Sequence, residues 1–591
     1  MKALIFAGGM MLAATAAQAQ PAGYWPLEKS APIIAKTQTV TLSPDVSHLT
    51  AGEQRAVAKL IEVGRIFQQL YELQRHPQAI SSHAALVAQD KLAGSRPWSE
   101  NLLTLYRLNQ GPIATTLENA REPFLPVPMR PPGGNVWPWG ITKAEVDAFI
   151  AANPAQADAI LHPRTVVRRA TAENLHADMD ALSKHRALHT LHPGLRDRLI
   201  TLMRRPDAKV LYAVPYSLAY ADDLHDAHRL LNEAADAAEK DDEEFARYLR
   251  NRSRDLLTND YESGDAAWIT GRFKNLNGQI GGYETYDDEL FGVKTYFSMN
   301  VLATRRQETE ALRKALTGIQ ALENSLPYDA KKRVRDDIPV GVYDVVADFA
   351  QSRGGNTATI LPNEAYLARR YGRTILLRAN IMRNPDIFAS AGGTWKAAVA
   401  APFEAHLTSE ANFQRTLWHE VGHYLGVDRT ADGRDLDAAL QDNANLLEEM
   451  KADLVSLYAA PMLRQQGYYT DEGVRAHYAS GVARVLQNVK PRRDQPYQTM
   501  QLMQWNYFLD KGLLKFERGE LSIDYARYHA VVGDLLREVL AIQHAGDKAA
   551  SDRFIERWTR WDENLHGVVA KNIRDQQTVR FRVFKYGALR E

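Results

Sequence analysis

Phe413-Gln-Arg-Thr-Leu-Trp-His-Glu-Val-Gly-His-Tyr-Leu-Gly426 contains no proline, has helical character throughout and ends on a glycine just past its last histidine. Residues four apart share one face of a helix, so His419 and His423 can direct two imidazoles at one metal ion. Glu420 stands beside them, placed to take a proton from water at that ion. This is the arrangement of a zinc-peptidase helix. Two surface histidines on an ordinary helix would give the same string, so a third ligand decides the reading.

One class of such sites takes that ligand from a histidine three residues beyond the glycine. Gly426 fits, but the position is Arg429, which cannot bind a cation. Downstream, Leu447-Glu-Glu-Met-Lys-Ala-Asp-Leu-Val-Ser-Leu-Tyr458 is an apolar-periodic helix carrying Glu448, Glu449 and Asp453. Two histidines and one acid leave a tetrahedral position open for water, as catalytic zinc requires and structural zinc does not. Glu449 and Asp453 are i and i+4. One can ligate while the other accepts the outward N–H of a ligating histidine.

At 591 residues the chain exceeds what one core organises, so two or more lobes are expected. It is 45% hydrophobic and 24% charged, the make-up of a soluble globular protein. Its formal net charge is zero, which gives no electrostatic case for a nucleic-acid or anionic-membrane partner. Cysteine is absent, excluding disulfides, thiolate zinc sites, a cysteine nucleophile and a lipidated N-terminal cysteine. Residues 1–19 read as a secretory signal: Lys2, an apolar run from Ala3 to Ala17, and Ala17-Gln-Ala19 as a cleavage site. Export is expected, to a bacterial periplasm, with no membrane association after cleavage.

Residues 20–48 read as an irregular arm. Capping boxes at Thr50/Glu53 and Thr142/Glu145 open two helices. The proline-rich run 123–139 between them cannot be helical. Its Trp137 and Trp139 are expected to pack on the neighbouring helix rather than line a cleft. Strands are expected at Lys209–Pro215, Val340–Val346, Thr374–Asn380 and Thr578–Phe584, a charged helical stretch over 221–258, and almost wholly helical structure over 395–570. The fold class expected is α+β, predominantly helical, with two lobes and a cleft. One lobe is helical and carries the zinc; the other contains a small β-barrel or sheet assembled from distant segments. Residues 20–300 are assigned to the strand-containing lower lobe, 300–340 and 395–570 to the helical lobe, and 340–395 and 571–591 to strands returning to the lower lobe.

Gly281-Gly-Tyr-Glu-Thr-Tyr-Asp-Asp-Glu-Leu-Phe-Gly292 crowds tyrosines and acids into one short run. With that run and the Glu-Glu-x-Lys-Ala-Asp-x-Val-x-Leu-Tyr helix, the chain resembles the dipeptidyl peptidase III family of zinc exopeptidases. It looks most like the branch also found fused to, or associated with, Nudix hydrolases. The resemblance runs with gaps from about 260 to 515, and nothing before residue 200 is specific to it. It implies one Zn2+ per chain held by His419, His423 and Glu449, with Glu420 as general base and Glu448 and Asp453 behind the ligands. It puts Tyr286 where a hydroxyl stabilises the oxyanion and Glu284 where a carboxylate receives the substrate's N-terminal ammonium. Asn363, in Leu361-Pro-Asn363, becomes a contact to substrate backbone.

The departures are specific. The family commonly spaces its histidines five apart, whereas here they are four apart, as in a subset of bacterial members. Ile360 stands where a second Asn is common. Tyr497 occupies the position of a transition-state histidine and is assigned to substrate binding. The function expected is release of dipeptides from the N-terminus of oligopeptides. The rival readings are a periplasmic zinc-containing peptide-binding protein with little catalysis, or a zinc hydrolase of other specificity.

Overall fold

The structure is a computed structural model that describes residues 20–334, 338–351, 357–362, 365–487 and 496–590. The signal-like residues 1–19 and Asn363 lie outside the described residues.

Two large apolar cores give the molecule two lobes. The first gathers Leu60, Phe67, Val166, Leu224, Leu249 and Phe297, among others, from the first half of the chain. The second gathers Leu417, Val421, Leu447, Met450, Leu454, Trp505 and Leu536. A smaller cluster around Trp25, Leu102 and Phe124 covers the N-terminal side. The first lobe is built on the long helix α1 (Ala51–Arg75), opened by the Thr50/Glu53 capping box with both reciprocal hydrogen bonds formed. The box at Thr142/Glu145 is likewise complete. Each satisfies N–H groups that the first helical turn leaves without partners.

The largest sheet has six strands: β1 (Leu276–Asn277), β2 (Ile280–Glu284), β3 (Tyr296–Thr304), β4 (Val340–Phe349), β5 (Ala358–Leu361) and β6 (Thr374–Arg378). Their order is β5-β6-β4-β3-β1, with β2 also pairing β3. β6 runs parallel to β4, and the other pairs are antiparallel. Alternation sends the side chains of β4 and β6 into different cores. Val340, Val342, Ile375 and Leu377 join the second core, while Tyr343, Val345, Ala347 and Leu376 join the first. The sheet is the wall the lobes share.

Of the two expected forms, the described residues contain the sheet from distant segments and no closed barrel. The expected strand at Lys209–Pro215 spans Asp207–Pro215 and pairs with Thr165–Ala170. The 221–258 stretch is two helices, Ala221–Ala238 and Glu243–Thr258, the second capped by Asp242. Two readings need correction. The arm 20–48 contains a helix, Leu27–Ala35, with Pro32 inside it, and a strand, Thr37–Leu42. The last strand is Phe581–Tyr586, later than read, because it is defined by parallel pairing with Thr37–Leu42. Within the helical 395–570 region a hairpin, Leu514–Glu517 with Glu520–Ile523, also escaped the periodicity. Trp137 is buried and Trp139 is half-exposed against His76. Among the described residues no helix is long and apolar enough to cross a membrane.

Candidate metal centre

The His-Glu-Val-Gly-His run ends helix α2 (Ser409–Gly422), with His423 at its C-cap. Thr408 caps the start by accepting from the Ala411 N–H, and Ala411, Phe413, Leu417, Trp418 and Val421 are buried. Gly426 stops the run in a left-handed conformation (φ +78°), as glycine does past a helix end. The acidic run forms α3 (Ala444–Tyr458), which is buried on nearly every side. Its polar side chains must therefore find partners. The two helices cross at Gly422. A Cβ there would lie 2.8 Å from the Ala452 carbonyl oxygen and 3.0 Å from its Cα, so only glycine allows this approach.

The crossing brings one nitrogen of each histidine to one carboxylate oxygen. Glu449 Oε2 lies 3.2 Å from His419 Nε2 and 3.8 Å from His423 Nε2. It is buried and makes no hydrogen bond. The outward nitrogens are engaged: His419 Nδ1 donates to Asp453 Oδ1 at 2.7 Å and His423 Nδ1 to Glu448 Oε1 at 3.0 Å. Both acids are held well below the ordinary carboxylate range. Burial alone would raise them, but Arg484 and His419 outweigh it at Asp453, and Lys451 and His423 hold Glu448 down to about 2. As carboxylates they only accept, so each ring carries a proton on Nδ1 and points its Nε2 towards Glu449.

These residues fit a metal ion. Ligand bonds of about 2.0–2.1 Å in a tetrahedron separate the ligand atoms by roughly 3.3 Å; the two spacings from Glu449 are 3.2 and 3.8 Å, and all three ligand atoms lie within 4.8 Å of one another. His419, His423 and Glu449 form a group able to hold a metal. Burial lowers the His419 ring's affinity for a proton, yet Asp453, Glu449 and Glu420 together push it up to about 9. The pocket favours positive charge, and the α2 carbonyl end at His423 adds to that field.

Further charges brace the carboxylates. Lys451, buried, meets Glu448 at 2.8 Å. Arg415 donates to Asp453 Oδ1 at 3.2 Å, and Arg484 lies 3.5 Å from Asp453 Oδ2. The sequence reading missed both arginines. Arg415 sits one turn before His419 and its spacing could have flagged it, whereas Arg484 comes from the separate helix α4 (Asp471–Val485) and carries no local signal. Glu420 is half-buried, next to His419 on α2. No hydrogen bond or ion pair to a described residue engages its carboxylate.

Tyr497 begins helix α5 (Pro496–Asp510). Its hydroxyl donates to Glu449 Oε1 at 2.8 Å. Tyr286 is 60% exposed and close enough to act electrostatically on Tyr497. Glu284 ends β2 just past a register shift and acts on the buried Arg378 guanidinium of β6. Glu284 thus stands at the end of a sheet strand and Tyr286 in the turn just after it, while the metal group is on the helical lobe.

The acids that follow Tyr286 anchor its loop. Asp287 accepts from the Tyr71 hydroxyl at 2.8 Å and faces Arg75 at 3.2 Å. Asp288 accepts from Trp137 Nε1 and from the backbone N–H groups of Leu290, Phe291, Val293 and Lys294. A cavity of about 600 Å³ lies elsewhere, between α1, Pro97–Asn109 and the last strand, and no residue of the metal group lines it.

No family model matches the chain. It is 26% identical over 557 residues to Nudix hydrolase 3 of Arabidopsis thaliana, covering 88% of this chain and 69% of the plant protein. Among solved structures, DPP III from Caldithrix abyssi aligns with a TM-score of 0.79 at 23% identity, over 94% of this chain and 99% of that one. Dipeptidyl-peptidase III from Corallococcus sp. strain EGB aligns with a TM-score of 0.74 at 25% identity, over 96% and 98%. The chain has the fold of these structures along nearly its whole length.

Proposed function

We propose that this protein is a zinc-dependent peptidase of the dipeptidyl peptidase III kind, removing dipeptides from the free N-terminus of oligopeptides. The observation that supports it most is the convergence of His419, His423 and Glu449 beside Glu420, on a chain folded like dipeptidyl-peptidase III structures. His419 Nε2, His423 Nε2 and Glu449 Oε2 hold the ion, with Asp453 and Glu448 orienting the rings. Bound there, zinc supplies Lewis acidity at the scissile carbonyl and makes water nucleophilic near neutral pH.

The remaining work falls to side chains. Glu420 accepts the proton of the attacking water and passes it to the leaving amine. Tyr286 donates its hydroxyl to the developing oxyanion, a contribution of about 3 kcal/mol in comparable sites. Glu284 receives the substrate ammonium, which selects free N-termini, and Asn363 holds the substrate backbone. The export expected from residues 1–19 would put this activity in the periplasm.

The test is cleavage of an unblocked tetrapeptide by the purified protein, read by mass spectrometry beside its N-acetylated twin. Dipeptide release from the free form alone is the expected result. Cleavage of both discards N-terminal anchoring. Cleavage of neither, with one equivalent of zinc bound, leaves a peptide-binding protein. Glu420→Ala is expected to abolish nearly all turnover while retaining zinc; wild-type rates in that variant refute the assignment.

A further inference from the structure

We propose that Tyr497 is a positioning residue for the metal ligand: its hydroxyl occupies Glu449 Oε1, so that Glu449 meets the ion through Oε2 alone and a coordination position stays open for water. The inference rests on the metal site proposed above and departs from the assignment of Tyr497 to the substrate.

The two oxygens of Glu449 have different surroundings. Oε1 accepts from Tyr497 at 2.8 Å. Oε2 has no hydrogen bond and lies 3.2 and 3.8 Å from the two histidine nitrogens. A carboxylate beside a dication can turn to bind through both oxygens. Here that turn breaks a hydrogen bond to an ionised acceptor, one of the stronger kinds. Two histidines and a chelating glutamate would fill four positions, whereas a one-oxygen glutamate fills three.

A phenol has one proton to donate. With it committed to Glu449, Tyr497 can accept from a substrate but cannot also donate to an oxyanion. That task falls to Tyr286, whose phenol is largely exposed. Tyr497 is itself braced by Arg484, whose guanidinium lies 5.5 Å from the ring centroid and 3.5 Å from Asp453 Oδ2. One arginine therefore steadies the partner of His419 and the partner of Glu449.

The test compares wild type with Tyr497→Phe, which keeps the ring and removes only the donor. Metal-free protein is loaded with Co2+, its visible d–d absorption is recorded without peptide, and zinc affinity is measured against a chromophoric chelator. Wild type is expected to take up one equivalent. Tyr497→Phe is expected to take up one equivalent with an altered band, a zinc affinity shifted about ten- to a hundredfold and kcat lowered by a similar factor, as for other residues that orient metal ligands. KM for the unblocked tetrapeptide should stay within twofold. An unchanged band with zinc affinity within twofold of wild type overturns the proposal, and a raised KM beside those unchanged metal readouts makes Tyr497 a substrate contact. Failure of wild type to bind Co2+ at all sinks the metal site beneath it, a different result from either.

Discussion

Replacing Asp453 by Asn should uncouple the protonation of His419 from its metal affinity. Asp453 accepts from His419 Nδ1 at 2.7 Å and is the first of the carboxylates that together raise the ring to about 9. Against an ordinary value near 6.5, that rise corresponds to roughly 3 kcal/mol in favour of positive charge. Two consequences have opposite pH signs. In the metal-free protein, the stability gained from protonated His419 is complete below about 6.5 and lost as pH rises through about 9. Zinc binding has to displace the same proton, so apparent zinc affinity should climb about tenfold per pH unit from 7 to 9 and then level off.

In Asp453→Asn the ring returns towards its ordinary value and this slope should vanish. Above pH 9, where neither form carries the proton, the variant should still bind zinc ten- to a hundredfold more weakly. Chelator competition across pH 6 to 9.5 reads both effects. Calorimetry in buffers of different ionisation enthalpy should show about one proton released per zinc at pH 7.5 in wild type and much less in the variant. An unchanged slope and an affinity within twofold of wild type at pH 9.5 would refute the reasoning.

Gly422→Val places side-chain carbon against the Ala452 backbone, where a Cβ already lies 2.8–3.0 Å away. The helices must part by a few tenths of an ångström, and at least a tenfold loss of zinc affinity is expected; a preserved affinity would show that the crossing is slack. Asp288→Ala removes the acceptor for four backbone N–H groups and Trp137. Faster amide exchange over residues 285–294 and lower kcat are expected, with metal content unchanged. Glu284→Gln keeps shape and loses charge. KM for the free tetrapeptide should rise at least tenfold, and an unchanged KM would end the ammonium assignment.

The metal group was legible because its information is local. Histidines four apart on α2, and acids on a helix whose apolar spacing shows which residues it buries, need no knowledge of the rest of the chain. Capping boxes are legible for the same reason: Thr50 and Glu53 satisfy each other within one turn. What escaped depends on distant partners. The strand Thr37–Leu42 and the true start of the last strand exist through each other. The arm read as irregular contains a helix, with Pro26 as the N-cap of Leu27–Ala35 and Pro32 inside it. Arg484 reaches Asp453 from another helix, and no spacing rule connects them. Tyr497 could be aligned with a family position, but only the fold shows its hydroxyl on Glu449.

Thr37–Leu42 lies in parallel register with Phe581–Tyr586, and Arg582 meets Gln38 across 544 residues. A ribosome adding about 5–20 residues per second delivers the second strand roughly half a minute to two minutes after the first. Throughout that interval the earlier strand has no mate, and its backbone donors and acceptors remain open to other chains. Pairing of these strands therefore waits until residues 581–586 have been made, and nascent chains stalled before residue 581 should depend most on chaperones.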